Sequence, residues 1–437
     1  MSFEVGTAEM DVTPPVRTPM GGFASREHGA VGIHDPLRSK ALAIGDGSRT
    51  CVLIGNDIIS ASYEFIEQVT DAIEARTGLS EKQIMINFSH THSGPLMRDM
   101  AGMGEASKAY RYGLVNDLAE LVEEALQDMK PVTITSHTGA LQVGINRRER
   151  SEDGSTKLGR DPEGIVDTTV DVLKFTGPDR KPEAIWFSHA AHGVVLGARN
   201  YYFSADWPGY AQRTLEAVYP DTTVVFGQGC CGNINSDPVG GTFEDARRLG
   251  TRAAGAVMVA VEDEGTELEG PVTFGKTIAQ LPQHDPPSVE ESEAFIAEQK
   301  KLREEAIADG ENGNAYGSSV QWGEWLRDLA QQGVTDQTMP FAISAMGIGQ
   351  HAIVGLAGEV FFEYALNIAE RSPFDRTTVL GTTNGCVAYI PTAAEMPYGG
   401  YEVKSSNRFY RQLELKPEAE QVAIDEAVAL LNEIHTE

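Results

Sequence analysis

The residues of this chain best suited to chemistry stand where apolar runs stop. INFSHTHSGP (86–95) leaves a strand-like stretch with His90 and His92, and AIWFSHAAH (184–192) does the same with His189 and His192. HAIVGLAGE (351–359) delivers Glu359, TTVLGTTNG (377–385) leads into Cys386 and Tyr389, and TTVVF runs into the small-residue turn GQGCCGNINSDP. Imidazole nitrogen with carboxylate oxygen is a donor set that suits Zn²⁺, and a catalytic zinc keeps one position open for water. H-x-H alone is a weak signal, because a lone histidine at a strand end is more often a satisfied structural residue. The weight comes from coincidence: four of the ten histidines fall in two such ends, with Glu359 in a third. Alternate residues of an extended chain point the same way, so His90 and His92 are expected to face one cavity, one ligating and the other hydrogen-bonding nearby. For the second cluster His189 and His192 both stand open at this point, and Glu359 can alternatively cap the helix FFEYALNIAER. No H-E-x-x-H is present, which removes the commonest zinc-protease reading.

Positioning such groups requires a sheet. Short apolar runs of strand length recur at 50–57, 83–90, 184–192, 222–229, 350–359 and 377–385, with amphipathic helix candidates at 63–77, 112–129 and the C-terminus. Runs of this kind between helices predict an α/β fold, with mixed sheets flanked by helices and central strands buried on both faces. In such folds ligands bind beyond the carboxyl ends of strands, so several strands emptying polar groups toward one region predicts a shared site. No interdomain linker or repeat is evident, and residues 1–437 read as one catalytic domain. Within it, a charged helical hairpin is expected as an insertion at about 285–335; it is either a solvated face or a cover over the site.

The chain is 41% hydrophobic, with a formal charge of −29 from 64 acidic and 35 basic residues. That charge argues against nucleic acid or an anionic membrane surface as partner, both being polyanions. No apolar run is long enough to span a bilayer, and the N-terminus lacks the basic-then-apolar pattern of a secretory signal, so a cytoplasmic location is expected. The four cysteines form no C-x-x-C pair and no disulfide framework; Cys230 and Cys231 read as small-residue packing near the site. Homo-oligomer formation stays open.

Several stretches together resemble the catalytic domain of the neutral, non-lysosomal ceramidase family in its bacterial branch: VGTAEMDVTPP, SHTHSGP, GINRR, HGVVLG, SADWPGYA, GQGCCGNINSDP, GLAGEVFFEYAL and NGCVAYIPTAAEMPYGGYE. The resemblance covers most of the chain. It implies a single zinc ion held by His90, His192, Glu359 and Tyr389, with His192 ahead of His189 as the second histidine. It further implies that His92, Arg147 and Tyr401, the last twelve residues beyond Tyr389, act on the substrate. Arg148 and Arg150 read as solvated members of the stretch RRER. Asp206 is a candidate for the second shell of a zinc histidine or for a helix cap, and His34 and Asp35 for the pocket mouth or a turn.

Two departures from the family pattern matter. The family serine of a G-D-x-S-P segment is replaced by Asn235, the preceding aspartate by Asn233, and Ser236 is displaced by one residue, which points it elsewhere on a strand. The chain also ends soon after the final motif, so the C-terminal immunoglobulin-like domain of longer ceramidases is expected to be missing. The expected activity is therefore hydrolysis, by water activated on zinc, of a carboxamide (N-acyl) bond in a small or lipid-like molecule other than ceramide. Asn235 would contribute a hydrogen bond to substrate. The alternatives are hydrolysis of a C–O bond in an ester, lactone or sugar derivative, and a metal-binding relative without activity.

Overall fold

The computed structural model describes residues 3–100 and 104–436. Its order is helices, large sheet, small sheet, helices. The large sheet runs, edge to edge, through Thr223–Gln228, Pro182–His189, Thr169–Thr176, Lys130–Ala140, Phe3–Asp11, Arg38–Gly45, Thr50–Asn56 and Ile84–Phe88. Its middle is antiparallel, but each edge strand pairs in parallel with its neighbour. The small sheet joins Val272–Pro282, Thr338–Ile348, His351–Leu356 and Arg376–Leu380, the last pair parallel. The expected α/β class with mixed sheets and flanking helices is what the chain adopts.

The layers follow from burial. IMINF and HAIVGL are buried at every position, as strands covered on both faces must be. Helices Tyr63–Thr77 and Lys108–Gln127 cover one half of the large sheet's outer face, and Asp206–Val218 and Phe243–Glu262 the other. Phe362–Arg371 and Glu418–His435 cover the small sheet. Between the sheets lies an apolar layer in which Leu42, Met85, Trp186 and Val225 of one meet Met346, Ile353 and Leu380 of the other. The hairpin expected at about 285–335 consists of helices Val289–Ala308 and Asn314–Gln331 between two strands of the small sheet.

One buried titratable group sits in this interior away from the histidine clusters. His351 lies 2.9 Å from Ser136 Oγ and 3.0 Å from Thr378 Oγ1. Burial, aided by the Arg376 charge, lowers its imidazole from 6.5 to about 3. The unfolded chain therefore takes up this proton first. The contribution is complete above about pH 6.5 and lost as pH falls toward 3, with about 2–3 kcal/mol at stake by pH 4.5. Urea unfolding of wild type and His351→Gln between pH 7 and 4.5 checks this: the variant should lack that part of the acid slope, and an unchanged slope contradicts the assignment.

Candidate metal centre

The two edge strands of the large sheet come together, and the site forms at that seam. Asn87 bonds across it, its Oδ1 accepting from Gln228 N at 2.8 Å and its Nδ2 donating to Gly381 O at 2.9 Å. The segment following Arg376–Leu380 threads along the same line: Asn384 N donates to Ile86 O, and Thr382 Oγ1 to Phe88 O at 3.0 Å. Thr382 has φ 43°, an outlying conformation for a β-branched residue, held by its N–H to Gly358 O. Chain ends from both sheets thus converge.

His90 and His92 face one cavity, but not as alternate residues of an extended chain. His90 has φ 58°, a left-handed turn fixed by its N–H to Ile58 O, and this turn brings the two rings to 4.9 Å. The expected extended H-T-H is corrected accordingly. Thr91 bridges to Gly193, and His92 N donates to Gly193 O at 3.0 Å, which locks the turn to the loop carrying His192.

His90 Nε2 and His192 Nε2 lie 3.2 and 3.1 Å from Glu359 Oε2. Tetrahedral ligands at about 2.0–2.1 Å from zinc are separated by about 3.3 Å, so these atoms stand at coordination spacing. Their protonation fits as well. His90 Nδ1 lies 2.7 Å from Ile59 O, and His192 Nδ1 lies 2.8 Å from Cys231 O and 3.0 Å from Ile234 O. A carbonyl only accepts, so both protons belong on Nδ1, and both Nε2 lone pairs face the carboxylate. Three acceptors pointing at one another call for a cation between them. Burial opposes ionisation of Glu359, yet positive charge at the facing imidazoles holds its carboxyl well below the usual range, so the pocket favours a cation over three bare acceptors. Burial, with Arg147 beside it, lowers His192 to about 4.

His92 completes a cluster of three histidine nitrogens within 4.8 Å of one another, which is an alternative donor set. The carboxylate set is the better one. His92 Nδ1 is buried without a hydrogen-bond partner, whereas a ligating histidine normally donates its other N–H to a carbonyl or carboxylate. Its ring is held by packing instead, edge-on to Phe23 at 4.9 Å and against Gly22, where a Cβ would come within 2.5 Å of Nδ1.

Glu359 and Tyr389 are register partners in a short parallel pair, Glu359–Val360 with Tyr389–Ile390. The backbone of Gly232 packs against that pair so tightly that a Cβ would meet Glu359 O at 2.4 Å, the physical reason for a glycine in GQGCCG. Tyr389 lines a cavity of about 50 Å³ above the donors with Glu359, His90, His92 and Tyr401. Its ring is 5.4 Å from that of Tyr401, and burial pushes its phenol well above the usual range. Arg147 Nη1 stands 3.2 Å from His192 Nε2 and 3.2 Å from Asn235 Oδ1, while its Nε bonds Glu402 Oε1 at 2.7 Å.

His189 takes no part: its Nδ1 lies 2.6 Å from Thr169 O and 3.2 Å from Asp167. Arg148 is not solvated but buried, bonding Glu402 at 2.6 Å and Glu395 at 2.7 Å; a residue so placed neutralises the acid behind Arg147. Asp206 accepts from the backbone of Leu196 and Trp207, and Asp35 from Ser204, Ala205 and Arg213, so both organise the helix that starts at Asp206. His34 stacks on Phe243. Ser236 turns its hydroxyl to Pro238 O. Cys230 and Cys231 are buried free thiols.

Two contributors escaped the sequence reading. Glu402, in the π-helical turn Tyr401–Ser405, anchors Arg147, and Tyr410 donates its hydroxyl to Glu359 Oε1. Nothing in SNRFYRQ marks Tyr410; only the fold brings it there. Tyr410→Phe should weaken zinc binding about 10-fold or more while the chain stays folded. Competition with a chromophoric chelator measures this, and unchanged affinity would remove Tyr410 from the site.

Residues 3–242 match the model of a family described as neutral/alkaline non-lysosomal ceramidase, N-terminal. A neutral ceramidase of Oryza sativa is 26% identical over 224 residues, 48% of this chain and 28% of that protein. One from Mycobacterium tuberculosis is 25% identical over 294 residues, 59% of this chain and 44% of that protein. The chain thus spans less than half the length of these curated relatives. In the crystal structure of neutral ceramidase from Pseudomonas aeruginosa the likeness covers 99% of this chain and 75% of that one, with TM-score 0.76 and 18% identity. A ceramidase complexed with C2 matches over 99% and 76%, with TM-score 0.78 and 17% identity.

Proposed function

This chain belongs to the neutral/alkaline non-lysosomal ceramidase family, and from that premise we propose that it is a zinc-dependent hydrolase that cleaves a carboxamide, the N-acyl bond of a small or lipid-like molecule. The observation carrying this reading is the trio of inward-facing acceptors on His90, His192 and Glu359, which converge at coordination spacing while Arg147, His92 and Tyr410 approach them from outside. Tyr389 would complete the ligand set from the strand paired with Glu359. Zinc held there would supply Lewis acidity, lowering the pKa of a water to about 7 and polarising the scissile carbonyl.

The remaining steps belong to the chain. Arg147, held by Glu402, presents its positive charge where the carbonyl oxygen gains negative charge, a contribution of about 3–4 kcal/mol for one well-placed donor. Tyr401 adds a neutral phenol, since burial keeps its proton on. His92, whose Nδ1 has no hydrogen-bond partner and whose Nε2 lies 3.2 Å from His90 Nε2, exchanges a proton between the attacking water and the leaving nitrogen. Asn235 stands where the family serine would be and is engaged by Arg147, which supports a reaction without an activated serine.

Removing zinc with a chelator and restoring it tests the proposal. Turnover of an N-acyl substrate should vanish and return with about one equivalent of metal per chain. Full activity of metal-free protein would overturn it. Turnover of esters or lactones but no amide would move the reading to C–O bonds, and bound zinc without any turnover would leave a binding protein. Among the described residues, no helix is long and apolar enough to cross a membrane.

A further inference from the structure

Beyond the small cavity over the donors opens a larger one of about 600 Å³, which shares His92, Arg147, Tyr389 and Tyr401 with the site. Its lining is unusual for this chain. Acidic residues outnumber basic ones 64 to 35 overall, yet this wall contains three arginines and no aspartate or glutamate. Two of the three are neutralised: Arg147 by Glu402 at 2.7 Å, and Arg160 by Asp237 through two hydrogen bonds. Arg408 is not. Its Nη1 donates to the Ser319 hydroxyl at 2.9 Å, its Nε is buried without a hydrogen-bond partner, and no carboxylate among the described residues lies within 4.0 Å of its guanidinium.

Leaving a half-buried guanidinium without an anion is costly, and in so acidic a chain a counter-charge was easily supplied. Its surroundings hold it in place: the side chain runs beside Phe409, with its guanidinium 4.8 Å from that ring, and reaches the hairpin helix Asn314–Gln331 through Ser319. The same wall carries the apolar side chains of Phe23, Leu158, Val194 and Val239. A cavity of this size with one convergent charge has the make-up of a small-molecule site, and a guanidinium fork matches a carboxylate.

We infer that the substrate carries a carboxylate received by Arg408, so that the amide cleaved is that of an N-acylated amino acid or a similar acid and not of a neutral lipid. The inference rests on the amide-hydrolase reading and narrows its substrate class. Water adds across the C–N bond, the acyl carbon taking the oxygen and the nitrogen a proton, so no further reactant is needed.

The test pairs N-decanoylglycine with its uncharged twin N-decanoylglycinamide on the zinc-loaded chain. Wild type should favour the acid in kcat/KM, and bind it more tightly by calorimetry, by about 10- to 100-fold, as expected for a charge-assisted hydrogen bond. In Arg408→Gln, which keeps a donor for Ser319, that preference should collapse toward parity; Arg408→Lys should retain part of it. Thermal unfolding of both variants checks that the hairpin contact survives. Equal treatment of the two compounds by wild type, or a preference that survives in Arg408→Gln, would overturn the inference while leaving amide hydrolysis standing. Selective, Arg408-dependent binding of the acid without turnover would uphold the anion site and overturn the hydrolase reading instead.

Discussion

Glu359→Gln should yield a folded protein that no longer retains zinc and turns over substrate at least about 10³-fold more slowly. The substitution keeps the shape and removes only the charge and one acceptor. Its more telling effect concerns the metal-free state. Both histidines carry their protons on Nδ1, so their Nε2 lone pairs face the carboxylate at 3.1–3.2 Å when no metal intervenes, an opposition that Arg147 Nη1, 3.2 Å from His192 Nε2, relieves only in part. A glutamine NH₂ would donate to one of them and relieve that opposition, and Tyr410 could still donate to the amide oxygen. Metal-free Glu359→Gln should therefore unfold at the same temperature as metal-free wild type or higher, although it is the worse enzyme. Calorimetric scans with and without chelator, beside metal analysis, decide the point. A variant that unfolds earlier than metal-free wild type would mean that the acceptors are not opposed as described.

Arg147→Met should lose on both counts at once. Removing the guanidinium takes away a donor at the carbonyl oxygen, about 10²–10³ in kcat/KM. It also strips one of the two partners from Glu402, which is 1% exposed; breaking a buried pair from one side costs about 3–5 kcal/mol, with the remaining Arg148 bond placing this case near the lower end. The two effects separate in a double variant. Glu402→Gln added to Arg147→Met should recover much of the stability and none of the rate. Urea unfolding and steady-state kinetics on the four proteins measure the coupling directly. Recovery of activity in the double variant would show that Arg147 serves only to neutralise Glu402.

Much of the scaffold was open to reading from composition and period alone. The run YEFIEQVTDAIEART coincides with helix Tyr63–Thr77, where Ser62 accepts from Phe65 N and Gly78 closes the end with φ 77°. Apolar runs gave the strands, because a strand covered on both faces has no choice but to be apolar throughout. What these runs do not encode is direction. The antiparallel middle of the large sheet and the partnership of the two sheets come from long-range pairing, such as Phe3–Asp11 with Arg38–Gly45. The candidate metal donors stood at strand ends and were conspicuous by residue type. Arg147 was legible only through family likeness, since it rides on a short strand, Gly144–Arg150, whose basic run looks like surface. Arg148, Glu402 and Tyr410 were illegible because their partners are decided by the segment from the turn at 401–405 to Tyr410, which docks from far along the chain.

The threading of 380–390 along the seam means that neither half of this polypeptide owns its centre. Severing the backbone within GENGN (310–314), at the tip of the helical hairpin, would leave His90 and His192 on one fragment and Glu359 and Tyr389 on the other. Each fragment alone would be inert, and activity would return only on reassociation. On the zinc-hydrolase reading, metal retention would report whether two separately made pieces have found each other.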